Sequence, residues 1–209
     1  MNINKEIEII KKYQPTDKLL ELLLNNIEDV CESDIPYEMA VGNLSNDNSN
    51  FMFACSEGAH SAIVMANIIK SAKKEICIND DKLINSCLSF YKELPKSIVN
   101  AVKSNITIKI VTNNWLSSPL HDILESLNSA NPSKVIVKLS TNEFKNHING
   151  RSPNSIKFIF SGSKSLLNIS SATATQSFAC FNDAETVKEY KKSFDDGFYL
   201  LDSAFENKI

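Results

Sequence analysis

The sequence predicts an α/β fold: a mixed, largely parallel sheet covered by helices on both faces, with an α-helical N-terminal extension. Three observations carry this. From Phe51 onward, short apolar runs alternate with stretches of helical period, at spacings that suit right-handed crossovers. Several of the runs are apolar on both faces, as buried strands are. The last three strands come without long helices between them, so part of the sheet is expected to be antiparallel. With 209 residues, 43% of them hydrophobic, the chain can bury a real core. The expected division is a helical extension and loop over 1–50 and an α/β domain over 51–209.

Taken in order, "NKEIEIIKKY" puts Ile7, Ile10 and Tyr13 on one helical face and stops before Pro15. "TDKLLELLLNNIEDVCES" continues as a helix capped by Thr16 or Asp17, with leucines around much of its surface. A helix apolar on that much of its girth needs cover on more than one side, so Leu19, Leu22 and Leu23 are candidate partner contacts. "GNLSNDNSN" (Gly42 to Asn50) has no apolar period and reads as a loop. "FMFACS" is a buried strand, and "GAHSAIVMANIIKSAKK" a helix with Ile63, Ala66, Ile68 and Ile69 near one face. "EICIND" is a strand, and "DDKLINSCLSFYKELPKSIVNAVKSN" is helical with an interruption before Pro95. "ITIKIVTNN" is a strand. "SPLHDILESLNSA" is a helix with Ser118 at the N-cap and Pro119 at its first position. "KVIVKLS", "SIKFIFSG" and "SFACFN" are strands, with "FKNHINGRSPN" a polar loop after the first of them. "DAETVKEYKKSFDDGFYLLDSAF" is a closing helix capped by Asp183.

Composition narrows the functional classes. A net charge of −3 does not favour wrapping a long stretch of nucleic acid, although a local basic patch stays open. Arg151 is the only arginine, which excludes recognition of phosphate or guanine by an arginine cluster. Cys31, Cys55, Cys77, Cys87 and Cys180 contain no C-x-x-C pair and read as small hydrophobes in a reduced compartment. With three scattered histidines, no zinc site is expected, and no other metal or cofactor. No apolar run approaches the roughly 20 residues of a membrane span, and the charged N-terminus is not a signal peptide. A cytoplasmic location is the expectation.

Local motifs add little. There is no P-loop, dinucleotide-binding glycine motif or nucleophile elbow. "NDDK" (Asn79 to Lys82) offers paired carboxylates at a strand end, and capping of the next helix is the preferred reading over metal binding. Trp115, the only tryptophan, could anchor a partner or pack at a strand end. His60 opens a helix and could line a cleft at the strand ends, where open α/β sheets bind ligands. His121 reads as exposed helix surface, and His147 as a solvated loop residue with a catalytic alternative.

The order of elements from Ala59 to Phe205 resembles one half of a phospholipase D superfamily unit. "IIKSAKKEICIND" resembles that family's opening helix and strand, "NAVKSNITIKIVTNN" its next helix-to-strand step, and "VIVKLS" the strand before the catalytic segment. "SIKFIFSGSKSLLNIS" stands at the signature, which reads His-x-Lys, four residues, Asp, then a Gly-Ser-x-Asn stretch. "SFACFNDAETVKEYKKSFDDGF" resembles the closing strand and helix, with Phe194 and Phe198 at the family's terminal aromatic pattern.

Residue by residue, Ser155 stands at the nucleophilic His, Lys157 matches the Lys, and Gly162 stands at the Asp. Ser163, Ser165 and Asn168 fall in the polar stretch that follows. The resemblance implies that Lys157, with Ser155, Ser163, Ser165 and Asn168, is what remains of a phosphate-binding set. In that family an imidazole attacks phosphorus and a second one protonates the leaving oxygen, and a serine without a nearby base does neither.

Strand alternation gives Lys157 a second reading, as a lysine on a solvent-facing edge. The expected function is therefore a non-catalytic binding or assembly module, acting with a protein partner or as a homodimer. One alternative is a phosphodiesterase or nuclease with a rearranged site that uses His147 or His60 with Lys157. The other is a small-ligand or nucleotide sensor binding near Asn79, Asp80 and Asn114.

Overall fold

Alternation within one strand, Glu75–Asn79 (β2), divides the molecule into two cores. The computed structural model describes residues 17–25, 27, 31–55, 58–79, 90–113, 119–150, 156–162, 164–170 and 177–203. Successive side chains of a strand point to opposite faces of its sheet. Ile76 and Ile78 of β2 enter the core on the first face, and Cys77 enters the core on the second.

The other strands repeat the pattern. Thr107–Thr112 (β3) sends Ile108 and Ile110 to the first face and Val111 to the second. Val135–Leu139 (β4) sends Val135 and Val137 to the first. Ile156–Ser161 (β5) gives Ile159 to the first face and Phe158 and Phe160 to the second. Ser165–Ser170 (β6) gives Leu167 and Leu166 in the same way, and Ser177–Cys180 (β7) sends Ala179 to the first face. Phe53–Cys55 (β1) sends Cys55 there too.

The strands form one open mixed sheet in the order β1-β7-β6-β5-β2-β3-β4. β2, β3 and β4 run parallel to one another. The pairs β2–β5, β5–β6, β6–β7 and β7–β1 are antiparallel. The antiparallel part contains β5 and β7, two of the three late strands expected there, whereas the third, β4, pairs parallel with β3.

The first face is covered by Ile35–Asn46 (α2), Ala59–Ser71 (α3), Glu93–Lys103 (α4) and Pro119–Ala130 (α5), behind a leading helix over 17–24 (α1). α3 is the centre of this layer: Ser61 to Ala66, Ile68 and Ile69 are all buried, because the sheet, α2 and α4 surround it. The second face carries Asn142–Asn149 (α6) and Ala184–Phe198 (α7). Its core is aromatic. Phe194 stands edge-on to Phe144, Phe158 and Phe160 at centroid distances of 6.1, 6.1 and 6.2 Å and stacks on Phe198 at 5.0 Å. Beyond α7, Asp202 accepts from Leu139 N at 3.0 Å and Ser203 bridges Lys138, so the chain after α7 pairs with the β4 edge.

Four local expectations change. The helix expected over 16–33 is helical over 17–24, and a 3-10 turn at Glu32–Asp34 leads into α2 with Pro36 in its first turn. The loop expected over Gly42 to Asn50 is helical as far as Asn46. Tyr37, Val41 and Leu44 recur at i, i+4 and i+7 and pack on the core, so the polar residues between them need only face outward. The polar loop expected around His147 is α6, with Thr141 accepting a hydrogen bond from Phe144 N at 3.1 Å as its N-cap and Phe144 and Ile148 buried. The polar stretch after β5 is strand β6, joined to β5 by a tight turn in which Gly162 takes φ +56°. The segment carrying Ile7, Ile10 and Tyr13 lies outside the described residues.

Candidate functional site

Register brings a row of residues across four strands at the end of the sheet where the sequence puts the site. Lys157 pairs with Ile169, Ile169 with Ser177, and Ser177 with Cys55. Beside this row, Asn79 at the end of β2 pairs with Phe158, and Asn168 pairs with Phe158 from the other side. β5 lies between β2 and β6, so Lys157 is on an interior strand. At the β1 end of the row, Cys55 Sγ lies 3.9 Å from the Ser61 hydroxyl, and burial raises the pKa of its thiol. Ser155, Ser163, Trp115, Asp80 and Asn114 lie outside the described residues.

Not all of the predicted set converges. Ser165 is paired with Ser161 at the opposite end of the β5–β6 hairpin, four residues or about 13 Å along the strand from the row of Lys157. Its hydroxyl is buried, donates to Phe181 O at 3.3 Å, and lies 3.4 Å from Ser71 Oγ.

The histidines sit on three separate helices, each in contacts of its own. His60 stacks on Tyr37 with ring centroids 3.8 Å apart, and its Nε2 lies 3.2 Å from Asp34 Oδ1, which ties α3 to α2. His147, on α6, has Nε2 at 3.0 Å from Ser193 O of α7. His121 is largely covered, with its side chain 13% exposed, which corrects its reading as exposed surface. Its Nδ1 lies 3.0 Å from Asp122 and 3.7 Å from Glu125 on the same helix, a local ion-pair geometry. Of the predicted partner contacts, Leu19 and Leu23 pack on the core, while Leu22 is 54% exposed.

A lysine-lined cavity lies at the end of the sheet opposite Lys157. It is a cleft of about 780 Å³ that wraps the β5–β6 turn between the end of α3 and the first turns of α7. Its floor includes the hydroxyls of Ser71, Ser161 and Ser165, with Ser71 Oγ 3.4 Å from each of the other two. Its walls carry Lys73, Lys74, Lys164, Lys188 and Lys191, against a single carboxylate, Glu75.

Behind this wall lies a charge network on the second face of the sheet. Lys109 of β3 is bonded to Glu75 at 3.1 Å, to Asp195 at 3.2 Å and to the Tyr199 hydroxyl at 3.3 Å. Lys191 of α7 pairs with Glu75 and, at 2.8 Å, with Asp195. Burial alone would lift both carboxyl pKa values, but hydrogen bonds from Lys191 and Lys109 hold them below the ordinary carboxylate range. Burial likewise opposes the Lys109 ammonium, and the bonds to Glu75 and Asp195 outweigh it and raise its pKa. Sequence reading missed this cleft because its lysines come from three separate places in the chain, and only the pairs Lys73–Lys74 and Lys188–Lys191 hint at a shared surface.

Together these features define an open-sheet α/β protein with a cationic cleft at one end of the sheet. No protein-family model and no curated protein matches the sequence. Among solved structures the chain is similar to TrmBL2, an archaeal chromatin protein whose structure shows a novel mode of DNA binding, at 16% identity and a TM-score of 0.55 over 97% of this chain and 65% of that one. It is also similar to a phosphatidylserine synthase of Haemophilus influenzae Rd KW20, at 10% identity and a TM-score of 0.48 over 74% of this chain and 40% of that one. The chain thus spans about two thirds of the archaeal protein's length and less than half of the synthase's, and the likeness to the archaeal protein is one of fold. Among the described residues no helix is long and apolar enough to cross a membrane.

Proposed function

We propose that this chain is a phospholipase D-like binding and assembly module that works without covalent catalysis, alongside a protein partner or a second copy of itself. The observation that carries this reading is the dispersal of the imidazoles. Phosphodiester transfer through a phosphohistidine needs a nucleophile and an acid on either side of one phosphorus atom. His60, His121 and His147 instead belong to three helices and are each engaged locally. His147 is held against α7, on the face of the sheet that carries Phe158 and Phe160. Exposed apolar side chains on the leading helices, Leu22 at 54%, Ile35 at 44% and Met39 at 65%, support docking of a protein surface there.

The test is incubation with bis(p-nitrophenyl) phosphate at micromolar protein, with light scattering on the same sample. The reading expects release of nitrophenol no faster than the blank. Turnover that disappears in His147→Ala or Lys157→Ala would establish the phosphodiesterase alternative instead.

A further inference from the structure

We propose that the cleft around the β5–β6 turn is a binding site for the phosphate backbone of a nucleic acid, read by charge and without base specificity. Five lysines and one glutamate line it in a protein whose net charge is −3, so positive charge is concentrated here against the global balance. Glu75 is already neutralised by Lys109 and Lys191. Among the described residues, Lys73, Lys74, Lys164 and Lys188 form no ion pair, and all four are exposed at the cleft walls. Lysines without a carboxylate partner gain most from a phosphate, because the bound anion replaces only water and counterions.

The lining also says what the ligand is not. Among the described residues no aromatic ring faces the cleft, so a base would have nothing to stack on, and none of those lining it is an arginine that could grip one phosphate in a bidentate manner. Among the described lining residues Ala184 and Val187 are the only apolar side chains, too few to hold the body of a nucleotide or drug-sized ligand. A concave wall does not match a flat lipid surface. What remains is a chain of phosphates passing between Lys73 and Lys74, just before β2, on one side and the α7 lysines on the other. Lys164 on the turn and the Ser71, Ser161 and Ser165 hydroxyls lie between. This site is at the other end of the hairpin from Lys157 and does not depend on whether the module is catalytic.

Fluorescence anisotropy of labelled 20-nucleotide single strands, one thymine-only and one of mixed sequence, tests this on the full chain. The site predicts micromolar binding at about 50 mM salt and a log–log salt slope of about −2 to −3, from three to four phosphates at about −0.7 each. The two strands should bind within about threefold of each other, since contacts to phosphate carry no sequence information. The variant Lys73→Gln, Lys74→Gln, Lys164→Gln, Lys188→Gln should lose tenfold or more in affinity and most of the slope. The control Lys18→Gln, Lys145→Gln, away from the cleft, should keep both. If the fourfold variant fails to fold, Lys164→Gln and Lys188→Gln singly should each weaken binding by about twofold or more, with their melting temperatures unchanged. No binding by the native chain, equal loss in the control, or affinity indifferent to the cleft lysines would overturn the proposal.

Discussion

At the scale of single residues, Lys109 carries the most weight. It is an ammonium on an interior strand, its side chain 9% exposed, held by Glu75, Asp195 and Tyr199. Removing one partner from a buried ion pair costs roughly 3–5 kcal/mol, and since Glu75 and Asp195 keep some contact with water we expect about 2–3 kcal/mol for Lys109→Met. The pH dependence has a definite sign. Glu75 and Asp195 have lowered pKa values, so their contribution is present above the ordinary values of 4.5 and 3.8 and is lost as pH falls through the lowered ones. Lys109 and Lys191 are raised, so theirs is present below 10.5 and is lost as pH rises through the raised values. Thermal melts should therefore show a constant gap between native protein and Lys109→Met from about pH 6 to 9, closing in acid below about pH 4. A gap that is absent at neutral pH would mean the network is not structural.

The sequence could suggest none of this network, because which lysine of β3 meets which carboxylate is decided by strand register and by the seating of α7. By contrast, the Asp183 cap was legible, since an N-cap works within one turn, and its carboxylate accepts from Thr186 N at 3.1 Å. The cysteines were legible in part: Cys55, Cys77 and Cys180 are buried, and burial pushes the Cys77 thiol up to about 12, whereas Cys31 is exposed and Cys87 lies outside the described residues.

At the scale of elements, what the sequence hid was structure made of polar residues. α6 reads "NEFKNHIN", and only Phe144 and Ile148 mark its buried face. Short helices of this kind take their stability from what they pack on, which composition does not display. Here the neighbour is α7, and the closest approach is at Gly197, where a methyl group would come within 2.7 Å of the Phe144 ring. Gly197→Ala gains helix propensity of about 1 kcal/mol but must displace a ring wedged beside Phe194, so the net effect is a loss of about 1–2 kcal/mol. Urea denaturation measures this directly, and a more stable variant would show that α6 yields at no cost. β6 was hidden for a similar reason: "SLLNIS" alternates too weakly to announce itself, and its place is fixed by pairing with β5 and β7.

At the scale of the whole molecule, the α/β class and the mixed sheet were legible because alternating apolar runs and crossover helices are properties of the entire chain. The distribution of charge was not. A net charge of −3 argues against nucleic acid only if charge is spread evenly, and folding gathers lysines from α3–β2, the β5–β6 turn and α7 into one cleft. The end of the sheet that resembles a catalytic centre keeps Lys157 in its row, whereas the concentration of cationic groups is at the other end. On the reading proposed above, such a molecule holds a phosphate chain without reacting with it.

The most direct measurement is to hold an end-labelled 20-nucleotide strand at saturating protein for many hours and resolve it on a denaturing gel. Full-length strand, retained by the native protein and released by the cleft variant, is the predicted result. Shorter products whose appearance requires Lys157 would contradict the account.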